Sequence, residues 1–176
     1  MKILFALFLP ILLGACASQV PLAIREPINA APDVRQARTG QGELTGQRVR
    51  WGGEIASVEN QKQATWIEIV DRPLSSEGRP RDSDSSGGRF IARIPGFLDP
   101  AIYAKGRELT VNGLLAASIT RPVGAFPYRY PVVDVEQYFL WAKRLPEPRY
   151  PYYYDPYWRD PWYGPWWYAP RPRPRP

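Results

Sequence analysis

Few side chains in this sequence can do chemistry. There is no histidine, and Cys16 is the one cysteine. That removes the commonest general base, proton shuttle and zinc ligand. Two carboxylate pairs remain, Glu54 with Glu68 and Asp134 with Glu136. In an extended strand, residues 134 and 136 share a face, as a general acid and base would need. Polar residues on the wet face of a strand are the simpler account, and Arg48, Arg50, Arg89 and Arg93 are their expected neighbours across the sheet. The stretch Asp82-x-Asp84-x-Ser86-Gly87 starts like a calcium loop. The place of its bidentate glutamate is held by Arg93, so a solvated loop is expected and no metal site. There is no Ser-x-x-Lys, Gly-x-Ser-x-Gly or phosphate-binding loop. The expectation is a protein that is not an enzyme and has no cofactor. A hydrolase built on the carboxylates is the outlying alternative.

The thiol has a different use. Met1-Lys2 supplies a positive end, and Ile3 to Leu13 is an apolar run broken only by Pro10. A spanning helix needs about 20 apolar residues, so this run is too short to cross and stay. A charged end, an apolar stretch and small residues in that order mark a secretory signal peptide. Here Leu12-Leu13-Gly14-Ala15 runs directly into Cys16, an arrangement that resembles the lipobox of bacterial lipoproteins. The resemblance implies cleavage before Cys16 and acylation of its sulfur and new amine. The covalent lipid on Cys16 would be the only non-protein group. Each buried methylene adds roughly 0.8 kcal/mol of membrane affinity, so several chains anchor firmly. Ala17-Ser18 stands where such lipoproteins carry aspartate when kept in the inner membrane. The expected address is therefore the outer membrane of a Gram-negative envelope.

Composition and patterning divide the chain into a signal peptide (1–15), a lipidated N-terminus and linker (16–46), a folded domain (47–145) and a tail (146–176). The linker carries Pro21, Pro27 and Pro32 and shows no sustained apolar period. As a flexible chain it would span roughly 30 Å. A helical turn over Val34 to Arg38 after Asp33 is the one local signal within it.

The folded domain reads as five strands. Val49, Trp51, Gly53 and Ile55 alternate with polar residues, the period of a half-buried strand. The Gly52-Gly53 pair suggests a bend or bulge of the kind found where a barrel turns a corner. The further strands are 65–70, 89–94, 108–116 and about 130–141, the last with a bulge near Gln137. Asp99-Pro100 and Gly106 read as the start and stop of one short helix. Three strands, a helix and two strands is the order of an OB-type barrel. The fold class expected is mostly β: a small OB-like five-stranded β-barrel with one short helix, an extended N-terminal tether and a Pro/aromatic C-terminal tail.

The lipobox, together with Arg50-Trp51-Gly52-Gly53, Gly96-Phe97-Leu98-Asp99-Pro100 with Tyr103, and Tyr130-Pro131-Val132-Val133, resembles the Slp family of outer-membrane lipoproteins over about residues 1 to 158. The resemblance implies a small β-barrel domain linked to stress or stationary phase. It supplies no catalytic or ligand residues.

The remaining expectations concern binding. The chain is basic, with net charge +6, which suits anionic partners. Export makes nucleic acid a poor one and leaves lipopolysaccharide or peptidoglycan. A glycan- or peptide-binding face would use Trp66, Arg89 and Arg93. The tail concentrates proline, tyrosine and Trp158, Trp162, Trp166 and Trp167 before a terminal Arg-Pro repeat. Proline this dense favours polyproline II. Rings and guanidinium groups there could hold sugar faces and phosphate. The leading expectation is a structural or binding role in the stressed envelope.

Overall fold

The computed structural model describes residues 19–40 and 44–145. The elements are α1 (Leu22–Arg25), α2 (Val34–Thr39), β1 (Arg48–Asn60), β2 (Ala64–Asp71), β3 (Arg89–Pro95), β4 (Glu108–Val123) and β5 (Phe126–Leu140). The strands close into a ring in the order β1-β2-β3-β5-β4. All neighbours are antiparallel except β3 and β5, which run parallel over Ile91–Arg93 and Val132–Asp134.

The alternation seen in the sequence produces the interior. Val49, Trp51 and Ile55 of β1 meet Ile67, Ile69, Phe90, Ala92, Ile94, Leu109, Val111, Leu115, Val133 and Val135, all buried in one cluster. Trp51 and Phe90 pack edge to face with ring centroids 5.3 Å apart, the arrangement aromatic quadrupoles favour.

The glycine corner is where expected. β1 pairs with β4 over Arg48–Glu54 and with β2 over Gly53–Asn60, so Gly53 and Glu54 are bonded on both sides. A Cβ on Gly53 would lie 1.9 Å from the Val70 carbonyl oxygen, so only glycine admits this approach. The register shift itself falls further on, between Ile55 and Ser57. On β5, Asn112 faces Gln137 and Gly113 faces Val135. The bulged residue is therefore Glu136, next to the one expected.

Three expectations change. First, the segment from Asp99 to Gly106 is a turn, not a helix. The Asp99 carboxylate accepts from Ala101 N at 2.8 Å, while the Ile102 and Tyr103 amides donate to the Asp99 carbonyl. That is one closed turn. Gly106, at φ +84°, donates to the Ile55 carbonyl and returns the chain to the sheet before a second turn forms.

Second, the N-terminal stretch read as an extended linker is docked. Ile24 and Val34 are fully buried. α2 forms where the weak signal stood, and it is closed by a capping box between Asp33 and Gln36. Sequence periodicity could not show this, because two helices of 4 and 6 residues are too short to display a period.

Third, β4 and β5 extend well past the expected limits as a hairpin arm, 117–129, turning at Gly124. Pro122 and Pro127 face each other on it. Proline reads against strand, yet a two-stranded arm has outward edges that need no amide donors.

Candidate functional site

Two outer faces of the barrel carry a second layer, and the polar residues singled out in the sequence gather there. On the β2–β3–β5 face, Ile91, Tyr130 and Val132 form a small separate core with Trp66, Ala116, Ile119, Val123 and Tyr128. A bulge between Ala116 and Ile119 interrupts the β4–β5 register at the base of the arm, and Ile119, Val123 and Tyr128 of the arm pack onto Trp66, Tyr130 and Val132. Trp66 is partly buried. The Arg121 guanidinium stands 4.6 Å from its ring centroid and that of Arg93 stands 6.0 Å away. Both distances are within reach of a cation–π contact.

The arginines are not free. Arg93 and Asp134 form a bidentate pair, with the second contact at 2.7 Å. Arg121 pairs with Glu59 at 2.8 Å. Arg89 pairs with Glu68, which also accepts from Tyr130 Oη at 2.9 Å and Ser57 Oγ at 3.0 Å. Burial raises the Glu68 carboxyl, but these donors outweigh it and hold the group below the usual carboxylate range. The Tyr130 phenol is pushed up to about 12, by burial first and then by its bond to Glu68. Asp134 and Glu136, side by side in the sequence pattern, turn to different partners. Glu136 binds Arg48 at 2.6 Å, and that hydrogen bond lowers its pKa. A general acid needs a raised pKa, and Glu68 and Glu136 are shifted the opposite way. Three of the four arginines expected beside the carboxylates are there. Arg50 instead donates to the Ile24 and Arg25 carbonyls at 2.9 and 2.6 Å.

The opposite layer is built on β1 and β4. Thr110 and Asn112 point out of the barrel yet are buried, because α1 and the 74–80 loop cover them. Asn112 Nδ2 donates to the Ala23 carbonyl at 2.9 Å. Thr110 Oγ1 donates to the Gly78 carbonyl at 2.7 Å. Gly78, at φ +84°, lies so close beneath α1 that a Cβ would meet the Ile24 carbonyl at 2.1 Å. The loop read as solvated is thus half structural, with Gly78 and Pro80 buried and Asp82 and Asp84 exposed. Trp51 Nε1 completes the latch, donating to the Pro32 carbonyl at 3.0 Å.

Between α2 and the base of the arm lies an open cleft of about 500 Å³, lined by Ala37, Leu44, Leu115, Ala116 and Arg129 among others. Arg129 is exposed. Nothing in the sequence pattern pointed to this cleft, since its walls are distant in the chain. Cys16, Trp158, Trp162, Trp166 and Trp167 lie outside the described residues. Among the described residues no group of three or more His, Cys, Asp or Glu could hold a metal ion.

The fold and site together define a small five-stranded β module whose outer faces are latched by arginine chemistry. The family model described as "Outer membrane lipoprotein Slp family" matches residues 13–172, and the chain belongs to that family. Membership puts the protein in the outer membrane of a Gram-negative envelope, and the match runs beyond the limit of about residue 158 expected from the motifs. The chain is 35% identical over 114 residues to "Uncharacterized lipoprotein YeaY" of Escherichia coli K12, covering 62% of this chain and 58% of that one. It is 32% identical over 142 residues to "Outer membrane protein Slp" of the same organism, covering 78% and 73%. It thus spans less than two thirds of the first relative and about three quarters of the second. A small single-stranded DNA-binding protein from Streptomyces coelicolor superposes with TM-score 0.34 at 12% identity, covering 54% of this chain and 94% of that one. A likeness at that level carries no argument about fold or ligand.

Proposed function

We propose that this outer-membrane lipoprotein is held by acyl chains on Cys16 and works without catalysis, as a binding module of the envelope in stress or stationary phase. The strand order supports an OB-like reading of the barrel. The observation that carries the binding role is Trp66, a partly exposed indole within cation–π reach of the Arg93 and Arg121 guanidinium groups on an outer face. Ring-and-cation surfaces suit sugar faces and anionic groups together, which favours lipopolysaccharide or peptidoglycan as the partner. Because Arg93 and Arg121 are ion-paired, the ring supplies the contact and the arginines fix its orientation. Trp66→Ala should lower retention on purified peptidoglycan sacculi or on immobilised lipopolysaccharide at least fivefold, with the fold intact by circular dichroism. Unchanged retention on both would end this reading.

A further inference from the structure

The docked N-terminus restricts how the domain sits on its membrane. The relevant feature is α1, whose buried Ile24 and outward Leu22, 57% exposed, sit on the β1–β4 face. Four interactions hold it there: Asn112 to Ala23, Arg50 to Ile24 and to Arg25, and the close approach of Gly78. Six residue steps separate Cys16 from Leu22, so even a fully extended chain reaches only about 20 Å. An unbound linker of the whole 16–46 stretch would have let the barrel turn freely. A short leash ending at a fixed point does not.

The surface at that point also has the right chemistry. Leu22 shares α1 with Arg25, and beneath α1 on β1 Arg50 donates to the Ile24 carbonyl while Arg48 pairs with Glu136 and donates to Asn112 Oδ1. Arg50 makes its bonds to backbone carbonyls. Arg25 Nε is buried without a hydrogen-bond partner among the described residues. An exposed apolar side chain on the same short element as a basic one suits the boundary of a bilayer bearing anionic headgroups. By contrast, the β1–β2 turn at Lys62 lies past the other end of β1, beyond the Gly53 corner and Asn60.

We propose that the β1–β4 face, with Leu22 outward on α1 and Arg25 on the same element, rests on the phospholipid surface that carries the anchor. The β1–β2 turn then points away from it. This rests on the reading of Cys16 as the lipidated residue.

The test uses the full lipidated protein purified from membranes and reconstituted in phosphatidylethanolamine vesicles with and without phosphatidylglycerol. Leu22→Cys and Lys62→Cys variants carry a fluorophore, quenched by lipids brominated near the headgroup. Quenching at position 22 should exceed that at 62 at least threefold, and Arg25→Glu should reduce the excess in the phosphatidylglycerol vesicles. Mass spectrometry of the N-terminal peptide separates the two layers of the argument. Without acyl mass on Cys16 the anchor reading fails, and this proposal with it. With acyl mass present, equal quenching at both positions overturns the membrane-facing surface alone. Energy transfer between labels at position 22 on two chains would assign the face to a second copy and also overturn it.

Discussion

The barrel is covered on two sides, and the two covers are made differently. On the β1–β4 side, α1, the Pro32 segment and the 74–80 loop are held by side chains donating to backbone carbonyls: Asn112 to Ala23, Arg50 to Ile24, Trp51 to Pro32 and Thr110 to Gly78. On the β2–β3–β5 side, the arm is held chiefly by apolar contact of Ile119 and Val123 with Ile91, Tyr130 and Val132, helped by the Arg121–Glu59 pair and the Arg89 amide donating to Tyr128 Oη, and Glu68 joins at its base through Tyr130. Directional bonds fix a chain segment in one position, whereas apolar contact tolerates sliding. The first cover is fixed bond by bond and the second chiefly by packing. That division fits an anchor on one side and a partner on the other.

The comparison can be broken most severely at the ring both covers rest on. A Cβ on Gly113 would lie 2.0 Å from the Asp134 carbonyl oxygen. Gly113→Ala should cost upwards of about 4 kcal/mol in urea titration and release both covers together. A variant that loses only one cover would show that the β4–β5 ladder is not the common base. Next in size, Tyr130→Ala should cost about 3 kcal/mol. Hydrogen exchange should then quicken over 117–129 while the amides of Ile24, Arg25 and Glu26 stay protected. Equal loss in both places would erase the distinction between the covers.

On the polar side, Asn112→Leu removes the donor to Ala23 and should cost about 1–3 kcal/mol. Proteolysis within residues 19–30 should rise, with the arm unchanged. Acid should loosen the base of the arm through Glu68. The folded pKa of Glu68 is depressed, so its contribution is present above the unfolded value of about 4.3 and is lost as pH falls through the folded one. Glu68→Gln should flatten that dependence of arm exchange below about pH 4, and an unaltered profile would exclude Glu68 as its source. The smallest effect belongs to the exposed pair Arg48–Glu136. Glu136→Gln should change stability by less than about 1 kcal/mol, measured by thermal melting.

Much of the barrel was readable from residue order. Inward Val49, Trp51, Ile55, Leu109 and Val111 follow from a period of two, because a strand shows successive side chains to opposite faces. The glycine corner and the bulge at Glu136 were legible within a residue or so. The arm was not, because Ser118, Thr120 and Pro122 break the pattern where both faces of a hairpin meet water or a neighbour. The turn at Asp99 was misread because good capping residues cannot show that the segment between them is one turn long. Of the candidate site residues, Trp66, Arg89 and Arg93 lie on the outer face expected of them. That all the arginine charges beside Trp66 are paired could not be known before the strands were in register.

The order of residues alone carried the apolar run that ends at Cys16, the strand periods and the lack of histidine, since each depends on residue types or on near neighbours. The folded chain decided which arginine meets which carboxylate, how the Pro-rich N-terminal stretch becomes a latch and where the arm lies. Those outcomes come from contacts between residues far apart in sequence, such as Ala23 with Asn112 and Glu68 with Tyr130. Closure of the ring creates them, and no local pattern encodes them.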